Sequence, residues 1–292
     1  AVLVTEFFVV ALPLMITSAK ADGHPIQAIT HAGFGGGTDV TTRMMLLRTR
    51  RYLKQDMQLV NKKGGGGAAS MDYMMTLPAD GQHTLTWTTG HAVSMALGKT
   101  KVKLSDMQPL ARGTDDPQLF VVNCKNDIKD AKKFISAQKS KSLKYGTTHV
   151  GGIDDVSAIA FTKKGKLTDP TIVPYKGVGP IKTNLIKGDI DVGVLNLGEA
   201  VTEIEDGTLC VSVVLASNRM EKLSNVPTAT ELGIPVVLST VRGFVTRKGV
   251  PADRKKQLED AMIKAMEHKY FQSFLTDIGL DSTSVVGADE WG

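Results

Sequence analysis

Seven residues, Gly33-Phe34-Gly35-Gly36-Gly37-Thr38-Asp39, follow an apolar run at 26–29 and precede an amphipathic segment at 40–53. This order reads as strand, glycine-rich turn and helix start, the local unit of an α/β fold. Glycine admits φ > 0 and leaves backbone N–H groups unshielded by side chains. The first helical turn adds unpaired N–H groups and the positive end of the helix dipole. Together they make an anion site that needs no charged side chain. Nucleotide fingerprints do not fit. The dinucleotide pattern G-x-G-x-x-G fails at Thr38, and Gly98-Lys99-Thr100 has Val93 where a P-loop needs its leading glycine. A small anion such as a carboxylate remains. On this segment alone, a strand–helix turn without any ligand stays open.

The same alternation runs through the chain and predicts an α/β fold with largely parallel sheets. Strands are expected at 26–31, 57–60, 84–88, 110–113, 119–123, 143–147, 171–174, 191–195, 209–216 and 243–246. Helices are expected at 39–54, 68–77, 131–138, 154–162, 181–187, 199–206 and 252–275. The last is the clearest, with Leu258, Met262, Ala265, Met266 and Phe274 on one face and Lys255, Lys256, Glu259 and Glu267 opposite. Polar or glycine-rich turns follow further strands directly: Thr88-Thr89-Gly90-His91, the run from Gly146 to Gly152, Tyr175-Lys176-Gly177 and Asn196-Leu197-Gly198. Ligands of open α/β sheets bind beyond the carboxyl ends of the strands, so these turns are expected to face one crevice.

The first residues hold an apolar stretch, 7–16, followed by Ser18-Ala19-Lys20-Ala21, the pattern of a secretory signal cleaved after Ala21. The stretch is too short to span a bilayer. With no initiator Met and Glu6 before the apolar core, the natural chain is expected to begin upstream of Ala1. About 270 of the 292 residues then form an exported product, long enough for two lobes with separate cores. The net charge of +5 is spread over short runs such as Arg48-Thr49-Arg50-Arg51, and aromatics make up only 5%. Nucleic-acid binding, which wants a basic stripe with interleaved aromatics, is excluded. Cys124 and Cys210 sit in strand-like runs of an exported chain, so a disulfide and two buried thiols both remain open.

With that pattern in place, the chain resembles a substrate-binding protein of the tripartite tricarboxylate transporter systems, the Bug family. Gly35-Gly36-Gly37-Thr38-Asp39 with Arg43 resembles the family's first loop, P-G-G-G-T-D-x-x-x-R, and Asn61-Lys62-Lys63-Gly64-Gly65-Gly66-Gly67 its N-R-P-G-x-G-G. Leu77-Pro78-Ala79-Asp80-Gly81 with Thr84-Leu85 resembles A-x-P-D-G-Y-T-L, and His91 falls on the histidine of a T-H-A turn. Tyr145-Gly146-Thr147 resembles Y-G-S, Val173-Pro174-Tyr175-Lys176-Gly177 with Pro180 resembles V-P-Y-K-G-x-x-P, and Asn225-Val226-Pro227-Thr228 with Glu231 and Gly233 resembles D-V-P-T-x-x-E-x-G. The motifs occur in register along nearly the whole mature chain.

The resemblance implies a two-lobed, type II periplasmic binding-protein fold: two mixed sheets flanked by helices, with a ligand cleft between lobes. One lobe is expected from 22–118 plus 219–292 and the other from 119–218, closing about a two-strand hinge. The implied function is capture of a small mono- or dicarboxylate and its delivery to membrane permease subunits, by a monomer without cofactor or metal. In the family two loops pinch one carboxylate; carried over, Gly35, Gly36, Gly37, Thr38 and Asp39 form one arm, and Thr147, Thr148, His149, Gly151 and Gly152 the other. Thr89, His91, Tyr175 and Asn196 join them as expected cleft residues.

Three departures from the family pattern bear on ligand identity. Phe34 replaces a proline, Asp155 stands at the family histidine, and Arg242 falls near a position often held by tryptophan. An aromatic face, an acid and a fork-shaped cation suit an aromatic or amino-bearing carboxylate. Bland roles stand beside these: Thr38 and Asp39 as helix caps worth ~1 kcal/mol, Asp154 and Asp155 as acids favoured in a first helical turn, and Arg242 as a strand residue facing solvent. An exported hydrolase acting on a small carboxylated substrate is the alternative function, although no G-x-S-x-G elbow or metal motif is present.

Overall fold

Two mixed sheets organise the protein, each built where the sequence places short β-branched or aromatic runs. The computed structural model describes residues 24–148 and 150–292. The expected signal segment, residues 1–21, and His149 lie outside the described residues.

The first sheet contains β1 (Ile26–Thr30), β2 (Met57–Asn61), β3 (His83–Thr88), β4 (Met107–Pro117), β10 (Ser239–Arg247) and β11 (Val286–Gly287), in the order β11-β4-β10-β3-β1-β2. β1 runs parallel to β2 and β3, while β10 is antiparallel to both β3 and β4. The second sheet contains β5 (Leu119–Asn123), β6 (Lys144–Thr147), β7 (Thr171–Pro174), β8 (Val192–Leu195) and β9 (Leu209–Val214), in the order β7-β6-β8-β5-β9. The helices α1 (Gly37–Leu53), α2 (Ala68–Thr76), α3 (Thr89–Ala96), α8 (Ala252–Met266), α9 (Lys269–Asp277) and α10 (Ala288–Trp291) flank the first sheet. Around the second lie α4 (Ala131–Ser140), α5 (Ile153–Lys164), α6 (Val178–Lys187) and α7 (Leu197–Glu205). Among the described residues no helix is long and apolar enough to cross a membrane.

Each lobe has its own core. In the first, Met45 of α1 and Leu258, Met262 and Met266 of α8 pack with Phe244 and Leu110 of the sheet. In the second, Phe120, Phe134, Tyr145 and Phe161 form an aromatic cluster, with Phe120 and Phe161 edge to face at 4.9 Å. Each such side chain contributes ~1.5–3 kcal/mol by leaving water.

Two sequence expectations change. The single helix expected at 252–275 is broken: α8 ends at Met266, and His268 caps α9 by accepting the Tyr270 N–H at 3.3 Å. The turn expected at Thr88–His91 is instead the start of α3.

The chain crosses between lobes twice. Gln118 joins β4 to β5, and the return falls between Leu238 and Ser239, where β10 begins. Gln118 N–H donates to Leu238 O (2.9 Å), and Leu215 N–H to Gln118 O (2.9 Å), so the crossings are strapped together. Residues 219–238, expected with the first lobe, carry Ala229, Ile234 and Val236 into the core of the second. The disulfide question is answered by strand pairing: β5 and β9 are neighbours, and Cys124 and Cys210 are bonded across them, with Cα atoms 5.0 Å apart.

Candidate functional site

The first turn of α1 is shaped by Asp39 rather than by glycine alone. Gly35 takes φ 75°, open to glycine at little cost, and its N–H donates to Asp39 Oδ2 at 3.0 Å. Arg43 Nε donates to the same oxygen at 2.9 Å, and this bond holds the Asp39 carboxyl below the usual range. The Arg43 guanidinium also lies over the Phe34 ring, 5.2 Å from its centre. Phe34 is 86% exposed, and with Asp39 and Arg43 it borders a groove beside Asn61 and Lys63, separate from the interlobe cavity. Phe34 and Asp39, both expected in the cleft, therefore brace its rim from outside.

Between the two sheets lies a cavity of about 390 Å³. The first lobe lines it with His31 after β1, Thr38 of α1, Gly64, Gly66 and Gly67, Thr88 and Gly90 at the start of α3, and Thr240 and Arg242 of β10. The second lobe supplies Thr148, Ile153, Asp154, Asn196 and Glu199. Most of these residues come from the carboxyl ends of parallel strands or from the helix starts that follow, as in open α/β sheets, whereas Thr240 and Arg242 come from the start of the antiparallel β10.

Arg242 lines this cavity with a guanidinium and is only 5% exposed. It sits opposite Thr88 on β3 and Thr114 on β4, so its side chain shares a face with Thr114 and Asp116. Nη1 lies 3.2 Å from Asp116 Oδ2 and 3.4 Å from Thr114 Oγ1. Nε is buried without a partner. Nη2 would lie only 2.8 Å from a Cβ placed on Gly37, so glycine there lets the guanidinium reach the first turn of α1. Two positive poles, helix start and guanidinium, thus meet at one place.

Two buried acids stand near Arg242. Burial pushes the Asp116 carboxyl up to about 6 despite Arg242, and Asp116 Oδ1 is buried without a partner. Burial likewise pushes Glu199 up to about 7, although its Oε2 accepts the Asn196 N–H at 3.0 Å in the capping box of α7. Asn196 also donates from Nδ2 to the carbonyls of Asp116 (2.9 Å) and Pro117 (3.0 Å), tying α7 to the first crossing strand.

On the second lobe the two adjacent acids have exchanged expected roles. Asp154 lines the cavity, with Oδ2 accepting from Thr148 N (2.9 Å) and Thr148 Oγ1 (2.7 Å). Asp155, expected in the cleft, turns to its own loop and accepts the Gly151 N–H at 2.6 Å, with Gly151 at φ 71°. Gly152 is the N-cap of α5. Thr147 is fully buried at the end of β6, its Oγ1 unpartnered.

Three more expected cleft residues serve the scaffold. His91 is fully buried, and its Nδ1 accepts the Thr88 N–H at 3.0 Å. Ser70 Oγ donates to Gly67 O, so His91 Nε2, 3.1 Å from that hydroxyl, is the donor to it. Burial and the nearby His31 hold His91 well below its ordinary pKa, and the ring is a neutral helix cap. Thr89 Oγ1 donates to Ser239 O and accepts the Val241 N–H, fastening α3 to β10. Tyr175 packs in the second core against Gly146.

Of the expected ligand residues, Thr38, Thr148, Asn196 and Arg242 line the cavity, with Gly37 directly behind Arg242. Sequence reasoning left out Gly64, Gly66 and Gly67, although four successive glycines, all at positive φ from 59° to 133°, were a readable signal. A Cβ on Gly67 would meet the His91 ring at 2.7 Å. His31, Thr240 and Glu199 carried no local signal.

Two α/β lobes joined by two crossings, with a buried cation and helix starts converging in the cleft between them, define a two-lobed solute-binding protein. Residues 41–289 match the tripartite tricarboxylate transporter family receptor, and the chain belongs to that family. It is 27% identical to Protein BugT of Bordetella pertussis over 220 residues, 72% of this chain and 66% of that one. Among solved structures, a TctC solute-binding protein from Polaromonas superposes with a TM-score of 0.80 at 24% identity, covering 91% of this chain and 92% of that one. MatC from Rhodopseudomonas palustris, with bound malate, superposes with a TM-score of 0.72 at 26% identity, covering 87% and 88%. The expected family and fold class hold, and the protein is a solute-binding receptor. The hydrolase alternative finds no support, and both ring nitrogens of His91 are spent on capping and on Ser70.

Proposed function

We propose that this protein captures a small organic carboxylate between its lobes and delivers it to the membrane subunits of a tripartite transporter. The observation that carries this reading is Arg242: a guanidinium 5% exposed, with a buried Nε lacking a partner, lining the cavity beside the first turn of α1. Leaving a charged donor unsatisfied costs more than ~1–3 kcal/mol, which an anionic ligand would relieve. Thr38 and the opening amides of α1 form one arm of the grip; Thr148 and the start of α5 form the other. Malate in MatC is a carboxylate held by a related receptor.

Contact with both lobes makes the closed state the better binder, so ligand drives closure about the strapped crossings at Gln118 and Leu238. The lobes divide at these crossings, with residues 219–238 moving with the second lobe. The receptor acts as an exported monomer, released by cleavage after Ala21, and performs no chemistry on its ligand.

A thermal-shift panel of mono- and dicarboxylates, uncharged sugars and divalent metal ions tests the ligand class. Saturation at ~100 Kd raises stability by about 2.7 kcal/mol. Carboxylates alone should shift the melting point; a response confined to sugars or metals overturns the reading. Turnover of a binding acid would overturn the receptor role. Solution scattering with the best acid should show compaction at saturation.

A further inference from the structure

Residues 278–280, which follow α9 in the first lobe, are set into the second. Leu280 packs against the first-lobe cluster that holds Phe271 and Leu275, and also against the second-lobe cluster that holds Leu195, Leu197, Met220 and Leu223. The approach is close enough to require glycine on both sides. Gly279 has φ 78°, and a Cβ there would overlap Leu197 Cδ2. A Cβ on Gly198 would lie 2.9 Å from Ile278 Cβ. Leu197 and Gly198, the second-lobe partners in these contacts, are the first two residues of α7.

The same turn of α7 faces the interlobe cavity. Asn196, its N-cap, and Glu199, its third residue, both line that cavity. Asn196 Nδ2 donates to the carbonyls of Asp116 and Pro117 at the end of β4. The first lobe therefore holds the start of α7 from two sides, through β4 and through the turn after α9. Placement gives this second hold a mechanical consequence. The crossings at Gln118 and Leu238 are hydrogen-bonded to each other, and two adjacent strands define one line about which lobes bend and twist. A contact away from that line limits the twist. The turn after α9 stands away from it: Pro117 and Ser239 at the crossings and Gly279 and Leu280 of the turn line a common groove of about 710 Å³.

We propose, resting on the reading of the interlobe cavity as the ligand site, that residues 278–280 form a third joint between the lobes, which sets the lobe angle and so positions Asn196 and Glu199 in the cavity. Gly198, Gly279 and Leu280 are positioning residues: none of them lines the cavity, and each acts through α7. Close-packed contacts register a change of a single methyl group, so a small wedge in this joint moves the lobes.

Gly198→Ala supplies the wedge. Alanine is the better helix former, so the change should not weaken α7 itself. Spin labels at Lys99→Cys, after α3 in the first lobe, and Lys163→Cys, in α5 of the second, read the lobe separation by pulsed electron resonance; both positions are exposed, and Cys124 and Cys210 are bonded to each other. In the ligand-free protein Gly198→Ala should shift the mean separation, and Leu280→Ala should broaden its distribution. In calorimetry with butyrate, succinate and malate, Gly198→Ala should weaken each acid that binds by about tenfold, the scale of one misplaced methyl group in a packed contact. In an Ile278→Gly background, which removes the atom struck, Gly198→Ala should have no further effect on either readout, an outcome that general damage to the fold would not give. Unchanged separations in both Gly198→Ala and Leu280→Ala, or an effect of Gly198→Ala that survives Ile278→Gly, overturns the joint. A shifted separation with unchanged affinity overturns the positioning of Asn196 and Glu199. If no acid binds the wild type, the carboxylate reading falls, and the separations still decide the joint.

Discussion

Replacing Arg242 with methionine separates its structural role from its proposed one, because it holds Asp116 in the folded protein and, in the function we propose, binds an anion in the cleft. Asp116 is 3% exposed, with one oxygen 3.2 Å from Arg242 and the other buried without a partner. Removing one member of a buried ion pair costs ~3–5 kcal/mol, since the other charge is stranded. Protonation offers an escape. Asp116 already sits at about 6 with Arg242 present. Without Arg242 it moves higher, and each added unit costs ~1.4 kcal/mol only where the carboxyl must remain ionised. Arg242→Met should therefore cost about 3 kcal/mol or more at pH 8 and clearly less at pH 5. Adding Asp116→Asn should recover most of the loss at pH 8, a coupling that a double-mutant cycle reads directly. Affinity will not recover with it. The best acid from the thermal-shift panel should bind ~1.5–3 kcal/mol more weakly to both variants, about tenfold to a hundredfold in Kd. Urea unfolding followed by tryptophan fluorescence suits the measurement, because Trp87 on β3 and Trp291 on α10 pack against each other in the lobe that carries Arg242. Equal destabilisation at both pH values, no recovery in the double variant, or unchanged affinity would each refute the reasoning.

Asp116 and Glu199 should also make stability pH-dependent. Their folded-state pKa values, about 6 and about 7, lie above those of an unfolded chain, so each contributes stability that is present in acid and lost as pH rises toward 8, at most about 3 kcal/mol per group. His91, buried neutral, works oppositely, losing stability as pH falls below the ordinary histidine range. Glu199→Gln should gain on the wild type at pH 8 relative to pH 5; parallel urea midpoints for the two proteins would refute this. Breaking the Cys124–Cys210 bond, which closes a sequence separation of 86 residues, should cost up to about 4.5 kcal/mol on the chain-entropy account, read as a lower urea midpoint under reducing conditions or in a Cys124→Ser, Cys210→Ser variant. Gly67→Ala should be more damaging than Gly35→Ala: both glycines have positive φ, but a Cβ on Gly67 strikes the His91 ring at 2.7 Å while one on Gly35 meets nothing within 4 Å. The Gly35 change should cost about 1–2 kcal/mol of backbone strain alone; equal losses would show that the contact is unimportant.

Much of the architecture was legible because its causes are local. The alternation of apolar runs with amphipathic segments, the glycine turn before α1 and the acids at the start of α5 depend on neighbours within a few residues. So do most helix and strand bounds, and the in-register motifs that resemble the transporter receptors extended this to the two-lobed fold. Where a local signal was unusual, the pattern misled. α3 hides behind a capping box that uses His91 as its third residue, and the break between α8 and α9 depends on the single cap His268. The site required long-range pairing. Arg242 faces inward because β10 pairs with β3 on one side and β4 on the other, which sets its side chain among Thr114, Asp116 and Gly37. Asp154 rather than Asp155 lines the cleft because two successive residues in one helical turn point about 100° apart, and only the packing of α5 decides which faces in. Cys124 and Cys210, distant in sequence, meet because β5 and β9 are sheet neighbours. Periodicity and capping record what each segment prefers; which faces meet across the cleft is set by strands and helices far apart in the chain, and no window of sequence contains both partners.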